Sequence, residues 1–209
     1  MLLHALTIIT NELNNHLNTV DGTNHPDDEV KLGNIALFES PTGVNNNAIR
    51  DKVIVTLVNF REEKTLKNLP FSRANDATLR TEYFNPPINA NLFLLFSATA
   101  NDYGKALKYL SRIIRYFQFK NIFTNLNTTE IFDATLTEYD RMSEFKLIMD
   151  LYSPSFEELN HLWGTLGGKQ YPSVLYMLRM VELKHDGKTE GGGVIQDIQH
   201  NFLYINPTN

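Results

Sequence analysis

A chain of 209 residues with 42% hydrophobic and 21% charged side chains can bury roughly 70% of its unfolded-chain surface around one core. No segment approaches the ~20 apolar residues of a membrane helix. A net charge of −5 argues against a general surface for nucleic acid or anionic lipid, so no nucleic-acid partner and no direct membrane insertion are expected. Without cysteine, disulfides and Cys-ligated zinc are excluded, and protein partners become the expectation.

Leu2, Leu6, Ile9, Leu13 and Leu17 recur at spacings of three and four, which predicts an amphipathic helix over 2–19 with its Asn and Glu residues on the wet side. The apolar start Met1 to Leu6 lacks a basic flank and is soon interrupted by Asn11 and Glu12, so it reads as helix rather than signal peptide. Residues 21–28 are loop chemistry. Val30, Leu32, Ile35 and Leu37 suggest a strand with a bulge at Gly33. Residues 39–50 again read as loop, and 52–61, apolar on both alternating sets, as a central strand.

Residues 62–89 form an excursion too long for an ordinary loop, yet they hold Phe71, Tyr83 and Phe84, so a partly ordered segment that packs on a neighbour is expected. After Pro86-Pro87 a doubly buried strand is predicted over 90–99, then a helix over 103–118 with Lys105, Lys108, Arg112 and Arg115 on a solvated or salt-bridged face. Short strands follow at 122–126 and 145–151, separated by a polar connection.

Ser153-Pro154-Ser155-Phe156-Glu157-Glu158 opens a helix, Leu159, Leu162, Trp163 and Leu166 give it an apolar stripe, and Gly167-Gly168 closes it. Trp163, between Leu162 and Leu166, reads as core. A strand over 172–183 carries Val174, Tyr176 and Leu178. The order α-β-β-β-α-β-β-α-β defines an α+β class, a mixed β-sheet with packed helices in a single domain over 1–185. Residues 186–209 remain as a C-terminal extension. In it Asp186 to Gly193 reads as a flexible connection, and Val194, Ile198, Phe202 and Tyr204 fall in β-prone segments. That extension either folds back as an edge strand or hairpin on its own domain, or adds a strand to a neighbour.

Motifs of chemistry fail one by one. Gly164 to Lys169 lacks the first glycine and the Ser or Thr of a phosphate loop. The histidines at 4, 16, 25, 161, 185 and 200 show no metal-binding spacing, and no Gly-x-Ser-x-Gly elbow exists. Adjacent acidic pairs such as Glu157-Glu158 point their carboxylates apart. No catalytic, cofactor-binding or metal residue is predicted, and cofactors are expected to be none.

Two blocks carry a resemblance. Asn85-Pro86-Pro87, Asn91 to Phe96, Tyr103, Leu107, Leu110 and Phe117-Gln118 form the first; Leu162 to Gly168, Tyr171 to Tyr176 and Arg179-Met180-Val181 form the second. In this order they resemble the tail-terminator (cap) proteins of contractile injection systems, the phage-tail-like particles typified by antifeeding prophages and Photorhabdus virulence cassettes. The resemblance covers residues 1–183. It implies a tail-terminator-like fold and a non-enzymatic structural cap on the inner tube and contractile sheath, distal to the baseplate. It further implies partners that are the chain itself in a six-fold ring, sheath subunits and inner-tube subunits. Assembly would occur in the bacterial cytoplasm, in a particle later released or kept membrane-anchored. The alternatives are another tail component, such as an adaptor or tube-like protein, and a ligand-binding or enzymatic α+β domain. On this reading the structural core comprises Leu162, Trp163, Leu166, Gly167, Pro172 and Tyr176. The assembly interface comprises Phe71, Tyr83, Phe84, Val194, Ile198, Phe202 and Tyr204.

Overall fold

The structure, a computed structural model, describes residues 1–22, 29–38, 50–66, 72–75, 80–83, 85–129, 136–183 and 190–193. In chain order the elements are α1 (Leu2–Asp21), β1 (Val30–Leu32), β2 (Val53–Glu62), β3 (Ser72–Asn75), β4 (Arg80–Tyr83), β5 (Ile88–Ala98), α2 (Tyr103–Phe119), β6 (Ile122–Thr124), β7 (Lys146–Tyr152), α3 (Phe156–Thr165), β8 (Ser173–Leu183) and β9 (Glu190–Gly193). Two compact units result: Met1–Lys64 with Ile88–Leu183, and Thr65–Pro87 with Lys184–Asn209.

The first unit holds a six-stranded sheet in the order β1-β2-β5-β8-β7-β6. β1 and β2 run parallel and every other pair is antiparallel, so the sheet is mixed and the class α+β, as expected. Alternation divides its side chains between two faces. Val53, Val55, Leu92, Leu94, Phe96, Leu147, Met149, Tyr176 and Leu178 join α1 and α2 in the larger core cluster. Ile54, Phe93, Leu95 and Leu175 join Trp163 of α3 in the smaller one. Phe96 anchors the first, edge-on to Phe117 at 5.6 Å and to Tyr176 at 5.7 Å.

Helix ends follow their sequence signals with small shifts. Asp102 caps α2 by accepting from Gly104 and Lys105 N–H. α3 begins later than Ser153-Pro154 suggested: Ser155 is its cap and forms a reciprocal box with Glu158. Gly167 and Gly168, at φ 106° and 79°, close it in a conformation an L side chain would resist.

Several expectations need correction. The strand with a bulge at Gly33 ends at Leu32 instead and gives way to a 3-10 turn over Ile35–Leu37, because Asn34 Oδ1 accepts from Ala36 N–H at 3.0 Å and caps that turn. β2 lies second from the sheet's edge, and only Val53 to Thr56 are buried on both faces; from Leu57 on it emerges. The wet-side reading of α1 fails at Glu12 and Asn14, both buried.

The second unit pairs β3 with β4 and β4 with β9, all antiparallel, with Ser72 opposite Tyr83 and Tyr83 opposite Glu190. Residues 190–193, expected within a flexible connection, are thus a strand. Their glycines have little intrinsic β preference, and backbone pairing with β4 supplies what the side chains do not.

Candidate assembly surfaces

Of the core residues named from sequence, Trp163 and Tyr176 are buried, on opposite faces of the sheet, Leu162, Leu166 and Pro172 are half-buried, and Gly167, placed in the core by expectation, is exposed in the turn that closes α3. Trp163 is buried in the smaller cluster, with Leu162 and Leu166 packed against it, whereas Tyr176 lies in the larger one, where burial raises its hydroxyl pKa to about 12. Pro172 offers its carbonyl to Ala98 N–H at 2.9 Å. Of the residues assigned to assembly, Tyr83 sits exposed on β4. Phe71, Phe84, Val194, Ile198, Phe202 and Tyr204 lie outside the described residues.

Polar chemistry is spent on structure. His4 Nδ1 accepts from Met142 N–H at 3.0 Å, and His16 stacks on Tyr116 at 4.6 Å, where burial and the nearby Arg112 and Arg115 depress its pKa. His161 is an exposed neighbour of Glu157. Among the described residues no group of His, Cys, Asp and Glu could hold a metal ion. The basic face of α2 is largely paired: Arg112 grips Asp21 through two bonds of 2.6 and 2.7 Å, and Lys105 pairs with Asp51.

Surface features therefore carry the site. Leu126, Phe119 and Phe156 are 91%, 86% and 92% exposed, which no core role explains. Tyr103, Leu107 and Ile114 make an exposed apolar stripe along α2. A groove of about 490 Å³ opens beside Leu126, floored by Met142 and Phe145 and rimmed by Asn125, Glu144 and Glu182.

The sheet's outer edges have a chemistry of their own. On β1, Val53 N–H donates to Glu29 O and Gly33 N–H to Val55 O, so Val30 turns its backbone groups outward. Both are taken by one buried side chain of α1: Asn14 Oδ1 accepts from Val30 N–H, and Asn14 Nδ2 donates to Val30 O, each at 2.9 Å. On β6, Met149 N–H donates to Asn121 O, which turns Ile122 and Thr124 outward. Here Asn127 Oδ1 accepts from Thr124 N–H at 2.8 Å while Asn127 Nδ2 donates to Ile122 O at 3.0 Å. Thr124 O also receives Thr128 Oγ1 at 2.8 Å and Asn127 N–H at 3.1 Å.

The turn bearing Asn127 is tied down. Lys120 Nζ donates to Asn127 O at 2.7 Å and to Glu12 Oε2 at 2.6 Å, and Glu12 Oε1 accepts from Thr129 N–H at 2.8 Å. Burial pushes the Glu12 carboxyl up, but the bonds from Lys120 and Thr129 outweigh it and leave its pKa below the usual value. Beyond Val55 no strand pairs with the outer side of β2 among the described residues, and Phe60 N–H is taken by Asn59 Oδ1 at 2.8 Å. Sequence reasoning missed all three asparagines. Only Asn14 left a signal, a short amide beside Leu13 and Leu17 on the apolar stripe.

A helix-backed mixed sheet of this topology has a tail-terminator fold. The chain belongs to the Pvc16 N-terminal domain family, whose model matches residues 4–197. Among solved structures it is similar to the sheath/tube terminator of the extracellular contractile injection system PVC in its extended state, with 12% identity and a TM-score of 0.54 over 95% of this chain. The chain spans 64% of that terminator's length. The tube-terminating cap of the anti-feeding prophage is similar at 13% identity and a TM-score of 0.49, covering 72% of this chain and 49% of that one. No curated protein matches the sequence.

Proposed function

We propose that this protein is a structural subunit that caps the inner tube and contractile sheath of a contractile injection particle, at the end away from the baseplate. The carrying observation is membership of the Pvc16 N-terminal domain family across residues 4–197, joined to the likeness in fold to the PVC sheath/tube terminator. The work is mechanical: one side of the subunit meets the last tube and sheath layer, the other presents nothing for a further layer, and no step needs a catalytic group or cofactor. The subunits close a six-membered ring through heterologous contacts, a surface of one against a different surface of the next. Phe119, Leu126 and the α2 stripe supply exposed apolar area for such contacts. An assembly role for Val194, Ile198, Phe202 and Tyr204 belongs to the same proposal, and the subunit assembles in the bacterial cytoplasm.

The test is electron microscopy of particles assembled without the protein. Sheaths and tubes of uncontrolled length, restored to uniform length by adding the chain back, are the expected result; uniform lengths in its absence would overturn the reading. Deleting residues 194–209 should leave a folded chain that no longer stays on the particle, checked by thermal unfolding and by co-sedimentation.

A further inference from the structure

A primary amide carries an acceptor and donors in the geometry of a peptide group, so an asparagine side chain can stand where the next strand's backbone would be. That is what Asn14 does at Val30 and what Asn127 does at Ile122 and Thr124. The two asparagines come from different elements, a helix and a turn, yet they reach the outermost strand on opposite edges of the same sheet. We propose that Asn127 is a pairing block: it fills the hydrogen-bonding positions of the β6 edge and thereby prevents a second copy of this chain from adding its own β6 strand there.

The excluded partner follows from symmetry. A three-residue edge strand with outward backbone groups at Ile122 and Thr124 is self-complementary when two copies meet antiparallel, the pairing an unguarded edge invites. Ile122 is exposed and would favour that contact. The block works against it because the Ile122 carbonyl and both outward groups of Thr124 are already bonded within the chain. Lys120, just past the end of α2, and Glu12 of α1 hold the blocking turn in place. Asn59, which takes the outward N–H of Phe60, repeats the device once more on β2.

The inference goes beyond the capping role, and its test needs only the purified full chain. Because the sequence has no cysteine, Ile122→Cys places a single reporter thiol on the edge. With a short thiol–thiol cross-linker, the reporter alone should stay uncross-linked, and the same reporter with Asn127→Ala should give at least tenfold more cross-linked dimer. Equal cross-linking in the two proteins, or none in the Asn127→Ala protein with its circular dichroism intact, overturns the proposal. Should Asn127→Ala fail to fold, Asn127→Asp and Thr128→Val, which each remove one blocking donor, decide by the same readout. Sedimentation of the unsubstituted protein reports ring formation separately, so a chain that never forms rings would count against the capping model and leave the edge result standing.

Discussion

The β1 edge and the β6 edge are closed by the same side-chain chemistry in opposite surroundings. Asn14 is buried, at 4% exposure, between α1 and the strand it serves, while Asn127 stands exposed on a turn. In the dry setting each bond replaces one that water cannot supply, so losing the amide leaves a buried donor and acceptor unpaired. In the wet setting water repairs the loss, and what disappears is the obstacle to another chain. One residue type thus holds the fold together at one edge and keeps company away at the other.

Predictions scale accordingly. The upper reference is Trp163→Ala, which should cost ~3–5 kcal/mol in urea unfolding as for other buried aromatic truncations, whereas a loss under ~1 kcal/mol would place Trp163 at the surface. Asn14→Ala should come next at about 2–3 kcal/mol, because Val30 N–H and O would both be stranded in the interior; a cost below about 0.5 kcal/mol would show that water reaches the β1 edge and would erase the contrast between edges. Glu12→Gln should cost about 1–2 kcal/mol by weakening the hold on Lys120 and Thr129.

The same carboxyl sets a pH dependence. Its folded pKa lies below the ordinary glutamate value, so its stabilisation is fully present above that ordinary value and is lost as pH falls through the folded pKa. The protection factor of the Thr124 amide, its exchange corrected for the intrinsic pH dependence, should therefore fall in acid in the native protein and lose that acid step in Glu12→Gln; an unchanged step would detach Glu12 from the turn. Smallest of all, Asn127→Ala should change stability by less than about 1 kcal/mol, since its partners are exposed. A loss comparable to Asn14→Ala would make the two edges alike.

What the sequence revealed, and what it hid, follows from range. Periodicity placed α1, α2 and the doubly buried run of β5, because burial on one or two faces is written into neighbouring residues. It misjudged Glu12 and Asn14, whose polarity suggested solvent, because their partners Lys120 and Val30 lie far along the chain. Gly191 to Gly193 looked like a hinge for the same reason: the strand that orders them, β4, is remote in sequence. The asparagines on the edges were hidden because their roles depend on which strands end up outermost, a property of topology rather than of local pattern.

The placement of β8 between β5 and β7 has a consequence for the chain's birth. β5 ends at Ala98 and β8 begins at Ser173, so about 75 residues must be synthesised before the Leu92 to Phe96 run acquires its second neighbour. At ~5–20 residues per second that interval lasts roughly 4–15 s, during which the most deeply buried strand among the described residues is half paired. Sheet closure must therefore wait until the C-terminal third has emerged, giving a slow, high-contact-order folding step. A nascent chain therefore cannot present a finished sheet to any partner until β8 has left the ribosome and paired with β5.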